Sequence, residues 1–512
     1  MIELSLKEIA DIVGGRLDQV TDPDHVITGA VEFDSRKISL GDLFIALPGA
    51  RVDGHDFAAQ AVHQAGATAV LAARPVGVPA IIVEPRGPAS GNAEAFAHDE
   101  DGSASAVIGA LSSLAREVMR RLVKEGLTII GITGSAGKTS TKDLVAKVVS
   151  HAGPTIAPPG SFNNELGHPY TALRCTKDTK FLVAEMSARG LGHITHLAHI
   201  APPHIGVVLN VGSAHLGEFG SRQNIAQAKG ELVAALPEDG IAILNADDPF
   251  VIGMSARTTA KVVSYSVATP PAVDADIYAS NIDLDDIARA AFDLHLPREE
   301  TRRVHLGVFG AHQVSNALAA AAVGQYCGLG MADIVTALEE AKPASAHRMD
   351  VHTRGDGVTV INDSYNANPE SMRAGIAALA YTASARPDAH SFAVLGEMGE
   401  LGEESVAEHV ALATELARFH ITELIAVDPN DGECCRAMCE AATREGINTE
   451  IALSVDEAME ILRNKLNPKD VVLVKASNAQ RLWQVAEALM ADCPAPAATP
   501  HGANPGPHNP GK

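Results

Sequence analysis

Two hydrophobic rhythms alternate along the chain. Mainly apolar runs bounded by turn residues, at 127–132, 181–186, 205–211, 241–245 and 261–267, read as buried parallel strands. Between them, apolar residues recur at helical spacing. Leu144, Val145, Val148 and Val149 share one helical face, Lys142, Asp143 and Lys147 lie elsewhere around it, and Gly153-Pro154 ends the helix. Alternation of this kind to about residue 340 predicts a parallel sheet wound with helices. The alanine-rich stretch 317–327 predicts a helix packed closely on its neighbours. Runs at 358–362, 392–395, 423–427 and 471–474 predict a second doubly wound sheet, starting near Arg348.

The first 85 residues have shorter periods. Ser5-Leu6-Lys7-Glu8 has the pattern of a capping box, and Gly14-Gly15 closes the helix that follows. Strands are expected at 41–49, 69–72 and 80–83, with a helix from Gly54 to near Gly66. Residues 86–105 are small and polar, as in a flexible linker, and a helix at 106–124 follows. Beyond Asp492 the chain is rich in Pro, Gly and Ala, and disorder is expected. The expected fold is therefore α/β in three domains: a small N-terminal unit (1–85), a central phosphate-loop sheet (106–343) and a C-terminal doubly wound unit (344–491). A linker (86–105) and a tail (492–512) complete it.

Composition narrows the function. The 512 residues exceed one ordinary core, and a 46% hydrophobic content can build several. A formal charge of −23 argues against nucleic-acid binding, which needs a basic stripe, but leaves room for an anionic small substrate held by a local cluster. The six cysteines, Cys175, Cys327, Cys434, Cys435, Cys439 and Cys493, form no framework. Cys435 and Cys439 could share a helical face, yet no partner pair or histidine stands nearby, so buried thiols are expected rather than a metal site. No signal-peptide core opens the chain and no apolar run nears 18 residues, so a soluble, cytoplasmic protein without membrane contact is expected.

The chemistry begins after the run at 127–132. Thr133-Gly134-Ser135-Ala136-Gly137-Lys138-Thr139-Ser140 links that strand to a helix, the context of a phosphate-binding loop. Glycines admit a polyphosphate to the backbone N–H groups, Lys138 would neutralise it, and the Thr139 hydroxyl would ligate Mg²⁺. The strict eight-residue spacing fails, because Ile132 stands where the first glycine belongs. Polar residues gather at other strand ends, where ligands bind in such sheets: Glu185, Asn210, His215 and Asn245. Glu185 and His215 are either ligands of a second cation or capping groups. Asn316 is either a helix-start amide or an adenine contact. Lys229, in AQAKGEL, reads by itself as a surface lysine, and Asp34-Ser35-Arg36-Lys37 either holds a diphosphate or uridine or is an ordinary polar turn. The stretch from Asp363 through Tyr365, Asn366 and Asn368 is more polar than packing requires, and Asn163 and Asn164 fall in a loop near the same rim.

The phosphate loop, with Glu185, His215 and Lys229 downstream, resembles the Mur ligases. Phe33-Asp34-Ser35-Arg36, Gly41-Asp42-Leu43-Phe44, 162–167 (FNNELG), 363–369 (DSYNANP) and Leu395-Gly396-Glu397-Met398 carry the resemblance further, across residues 1–490 apart from the linker. It implies an ATP-dependent amide ligase that joins D-alanyl-D-alanine to UDP-N-acetylmuramoyl-tripeptide, working as a monomer. It implies that Lys138 contacts phosphate, that Thr139 holds one Mg²⁺, and that Glu185 and His215 hold a second. It further implies that Lys229 is N-carbamylated, that Asn316 meets adenine, that Arg348 reaches the phosphates, and that Asp363 with Tyr365, Asn366 and Asn368 closes on nucleotide and incoming amine. Asp34, Ser35 and Arg36 would meet the uridine diphosphate. One departure is Lys475-Ala476-Ser477-Asn478, where the family usually has Lys-Gly-Ser-Arg. An arginine for the dipeptide carboxylate is missing there, and Arg481 is the nearest substitute in sequence. Rival expectations are another ligase of this fold, acting on a different amino acid or a folate, and a phosphate-loop ATPase that needs no small substrate.

Overall fold

The computed structural model describes residues 1–49, 52–87, 96, 99–213, 216–268, 275–343, 345–430 and 432–491. The expected tail lies outside them, as do half of the expected linker and His215.

The central sheet has nine strands, in the order Arg302–Phe309, Arg289–His295, Ile277–Leu284, Lys261–Ser266, Ile241–Asn245, Ile205–Val208, Thr128–Thr133, Phe181–Glu185 and Thr155–Ile156. Thr128–Thr133 is an inner strand, buried because helices cover both faces of a parallel sheet. Pairing is parallel up to Ile277–Leu284; the last two strands are antiparallel, which a purely parallel reading did not anticipate. The helix Gln313–Tyr326 lies against Lys138–Ser150 with all its alanines buried. Gly324 allows this approach: a Cβ there would come 2.5 Å from Val148 Cγ1.

The C-terminal sheet runs Asp350–Thr353, Thr359–Asn362, Val471–Lys475, Ser391–Leu395, Glu423–Val427 and Asn448–Ala452, parallel except at its first pair. The N-terminal sheet has five strands, parallel from Ala80–Ile82 to Val31–Glu32. The Ser5–Glu8 capping box is present and Gly14 ends its helix in the left-handed region. The helix expected from Ala106 begins at Ser103, because the buried Asp99 carboxylate accepts the N–H groups of Ala104 and Ser105. That helix, Ser103–Lys124, is packed into one core with Leu4, Leu6 and Ile9 on one side and Leu127, Ile129 and Leu182 on the other. Cys435 and Cys439 are free thiols buried in the C-terminal core.

Candidate active site

The phosphate loop leaves the buried end of Thr128–Thr133 and enters Lys138–Ser150 through Gly137, whose φ of +79° suits glycine. A neighbouring strand end fixes its shape. Asn210 accepts from the Ser135 N–H (3.1 Å) with its carbonyl and from the Ala136 N–H (2.8 Å) with its side chain, while Ser135 Oγ accepts from the Gly212 N–H (2.9 Å). Thr133 lies fully buried beneath the loop. Lys138 Nζ folds back to donate to the Gly134 carbonyl (2.8 Å), and burial lowers its pKa.

Hard oxygen ligands converge next to it. Thr139 Oγ1 donates to Glu185 Oε2 (2.9 Å), and Asn163 Nδ2 donates to Glu185 Oε1 (2.7 Å). Ser187 Oγ in turn reaches Asn163 Oδ1 (3.0 Å), and Asn164 Oδ1 accepts from the Gly167 N–H (2.9 Å) at the start of Gly167–Ala172. Asn163 is thus a brace for Glu185. Lys229 is not a surface residue: the helix Arg222–Ala234 turns it inward, to 3% exposure. Burial first, then the positive charge of Lys138, holds its pKa well below the usual lysine value.

The C-terminal unit closes the site. A cavity of about 730 Å³ is lined by loop residues Ser135–Ser140, by Asn163, Asn164 and Glu185, and by Arg348, Asp363, Tyr365, Asn366 and Asn368. Asn316 also lines it, buried at the start of Gln313–Tyr326 and bonded through Nδ2 to Gln313 Oε1 (2.9 Å). A smaller recess of about 150 Å³ adjoins it between Ser140, Leu144, Phe309, Gln313 and Arg348. The Arg348 guanidinium lies 4.2 Å over the Tyr365 ring and donates to Ser161 Oγ (3.2 Å), while its buried Nε has no partner among the described residues. Its neighbours His347 (φ +60°) and Met349 (φ +47°) are both left-handed, which costs about 1–3 kcal/mol each and marks a constrained joint. His347 stacks on Trp483, the chain's one tryptophan, with ring centres 5.5 Å apart.

Sequence reasoning missed three groups. Lys475, 1% exposed, donates to Asp363 Oδ2 (2.6 Å) and to the Asn366 carbonyl (2.9 Å), so it sets the shape of the polar stretch that lines the cavity. Glu370 accepts from the N–H (2.9 Å) and Oγ (3.0 Å) of Ser213, just beyond the expected Asn368, which caps Pro369–Ser384 and donates to the Ser135 carbonyl (3.4 Å). Lys142, buried at 2%, donates to the Pro158 carbonyl (2.9 Å) and pairs with Asp143 (2.6 Å). Only the polarity of the Asp363 stretch hinted at such partners.

Asp34, Ser35 and Arg36 are not brought to the cavity lining. Arg36 grips Asp34 with two bonds of 2.8 and 2.9 Å and pulls its pKa down to about 2. Glu32 holds the start of this turn, accepting the Phe33 (2.8 Å) and Asp34 (2.9 Å) N–H groups and the Tyr170 hydroxyl (2.9 Å). Phe33 packs edge to face on Tyr170 and on Phe162, which are tilted against each other, and the cluster joins the turn to the loop of Asn163. Arg481, the nearest substitute for the missing arginine, is exposed and left-handed (φ +52°) and is not among the described residues lining the cavity.

A phosphate loop at the centre of a wound sheet, facing a second α/β unit across a polar cavity, is the arrangement of a nucleotide-dependent group-transfer enzyme. Family models for the Mur ligase family catalytic domain, the Mur ligase middle domain and the Mur ligase glutamate ligase domain match residues 28–130, 132–324 and 347–478. A UDP-N-acetylmuramoyl-tripeptide–D-alanyl-D-alanine ligase of Mycobacterium tuberculosis is 53% identical, over 96% of this chain and 98% of its own. The ligase of that name from Escherichia coli is 33% identical over 96% and 99%. Among solved structures, MurF from Acinetobacter baumannii has a TM-score of 0.79 at 28% identity, covering 96% of this chain and 99% of its own, and MurF from Thermotoga maritima in complex with ADP has 0.73 at 28%, covering 91% and 98%. The chain belongs to the Mur ligase family.

Proposed function

We propose that the chain is an ATP-dependent ligase that joins D-alanyl-D-alanine to UDP-N-acetylmuramoyl-tripeptide. The observation that carries this reading is one cavity shared by the phosphate loop, the Thr139–Glu185 pair and the Asp363–Asn368 stretch of a second unit. A carboxylate is a poor electrophile, because its leaving group would be oxide. Attack of the tripeptide carboxylate on the γ-phosphorus of ATP, releasing ADP, gives an acyl phosphate. The dipeptide amine then adds to its carbonyl, and the tetrahedral adduct expels phosphate as the amide forms and the amine loses a proton. Positioning and charge neutralisation dominate such a reaction.

Lys138 and Arg348 bind the phosphates and Asn316 meets the base, with the recess beside Gln313 receiving it. Thr139 and Glu185, a hydroxyl and a buried carboxylate, form a donor set of hard oxygens that fits Mg²⁺. Thr139 would hold a first ion, and Glu185 with the imidazole of His215 a second. Mg²⁺ supplies neutralisation of the polyphosphate and of the transferring group. Lys229 fits carbamylation, because its lowered pKa leaves the free amine that attacks CO₂. Residues 1–85, with Asp34, Ser35 and Arg36, hold the uridine diphosphate end, residues 106–343 the nucleotide, and residues 344–491 the incoming dipeptide. The docked Asn368 and Glu370 keep water from the acyl phosphate. We infer a monomeric enzyme of the cytoplasm; among the described residues no helix is long and apolar enough to cross a membrane.

Phosphate release from ATP and Mg²⁺ tests this reading, with each substrate omitted in turn. Release that needs both substrates, with one dipeptide joined per phosphate, is expected. Release from ATP alone, indifferent to the dipeptide, would make the chain an ATPase instead.

A further inference from the structure

The dipeptide of the proposed reaction carries its nucleophilic amine at one end and a carboxylate at the other. Two extended residues span at most about 7 Å, so the cavity that holds the acyl phosphate must also hold a partner for that carboxylate. Arginine suits it best, through two parallel N–H bonds.

Among the described residues, four lysine or arginine side chains line the cavity: Lys138, Arg189, Arg348 and Lys475. Lys138 belongs to the phosphate loop, where it bonds Gly134. Lys475 is buried against Asp363 and the Asn366 carbonyl. Arg348 is stacked on Tyr365 and bonded to Ser161. Arg189 differs from all three. It stands four residues beyond Glu185, its side chain is 46% exposed, and its Nη2 lies 2.7 Å from Glu400 Oε1 of the C-terminal unit. Gly399, Ser477 and Asn478 of that unit line the same cavity. A surface carboxylate already rests on this guanidinium, at the place where the dipeptide would enter.

On the ligase reading above, we propose that Arg189 is the specificity-determining residue that binds the terminal carboxylate of the dipeptide, with Glu400 holding that position until the substrate displaces it. The displacement exchanges one carboxylate for another on the same guanidinium, which Glu218 Oε1 also approaches at 3.8 Å, and releases Glu400, whose side chain is 37% exposed, to solvent. Asn478 then has no need to be an arginine.

The test compares D-alanyl-D-alanine with its C-terminal amide, at saturating ATP and UDP-N-acetylmuramoyl-tripeptide, in the full-length enzyme. The wild type should prefer the acid by roughly 10- to 100-fold in kcat/KM. R189Q should raise KM for the acid by a similar factor, abolish the preference and leave KM for ATP unchanged. R189K, which keeps the charge without the fork, should retain part of the preference, and E400Q should keep it whole. An R189Q enzyme that loses activity on acid and amide equally would overturn the proposal and make Arg189–Glu400 an ion pair between units only. A wild type that accepts both compounds alike would overturn it too. A wild type that ligates neither compound strikes at the ligase reading itself, so the two failures are distinct.

Discussion

Lysine is seldom buried unless it is paired, yet Lys142, Lys229 and Lys475 are at most 3% exposed. Lys142 and Lys475 have carboxylate partners at 2.6 Å, whereas the charge that acts on Lys229 is another cation, Lys138. Carbamylation would resolve that conflict by making Lys229 an anion. Enzyme held in CO₂-depleted buffer should lose most of its activity and regain it with bicarbonate, and ¹³CO₂ should give a carbamate resonance absent from Lys229→Met. Activity that ignores CO₂, with no such resonance, would rule the modification out. Glu185→Gln should cut kcat by about 100-fold and raise the Mg²⁺ needed for half-maximal rate, because a neutral amide cannot balance the cation; an unchanged Mg²⁺ titration would refute that role. His168 offers a stability test away from the chemistry. Burial pushes its pKa from 6.5 to about 4. The unfolded chain therefore takes up a proton before the folded one does, so this contribution is lost as pH falls from 6.5 towards 4, on the order of 3 kcal/mol. Urea unfolding at pH 7 and pH 5 should show a smaller loss in His168→Gln.

Single elements explain which parts of the fold were legible. The phosphate loop and its flanking strand and helix are contiguous, so a local pattern suffices. Gly137 is the critical residue there: an alanine would sit at φ +79° with its Cβ 2.9 Å from Asn316 Oδ1. Gly137→Ala should cost about 1–2 kcal/mol from the left-handed backbone and weaken ATP binding further by displacing Asn316, as calorimetry would register; an unaltered Kd would show that the loop adapts. The antiparallel strands Arg289–His295 and Arg302–Phe309 also had a signal, because buried residues alternate with more exposed ones along both. Reading the whole segment as strand–helix repeats hid that two-residue period. The inward turn of Lys229 had no such signal, since one lysine in a helix of low amphipathicity gives no sign of which face meets the sheet.

At the scale of the molecule, the site exists only where units meet, and those meetings are the least legible feature. Asn368 reaches Ser135 of another unit across 233 residues, and even within the C-terminal unit Lys475 reaches Asp363 across 112, separations no local pattern encodes. The family resemblance named most of the residues involved, but not Lys475, Glu370 or Lys142 as partners. Closure itself is testable. Glu370→Ala removes the acceptor of both Ser213 bonds, so the C-terminal unit should dock roughly 10-fold less often, which small-angle scattering would detect as a larger radius of gyration and product analysis as more ATP hydrolysed per amide formed. An unchanged scattering profile would assign closure to the other contacts between the units, Asn368–Ser135, Arg348–Ser161 and Arg189–Glu400 among them.

The stack of Trp483 on His347 has an optical consequence. With one indole in 512 residues, all tryptophan emission arises at the joint that presents Arg348. An imidazolium quenches indole more strongly than a neutral imidazole does, and a small rotation at the joint changes the overlap of the rings. The enzyme therefore carries a fluorophore of its own at the point where its two larger units turn, and nucleotide or dipeptide can be titrated by its brightness without a label.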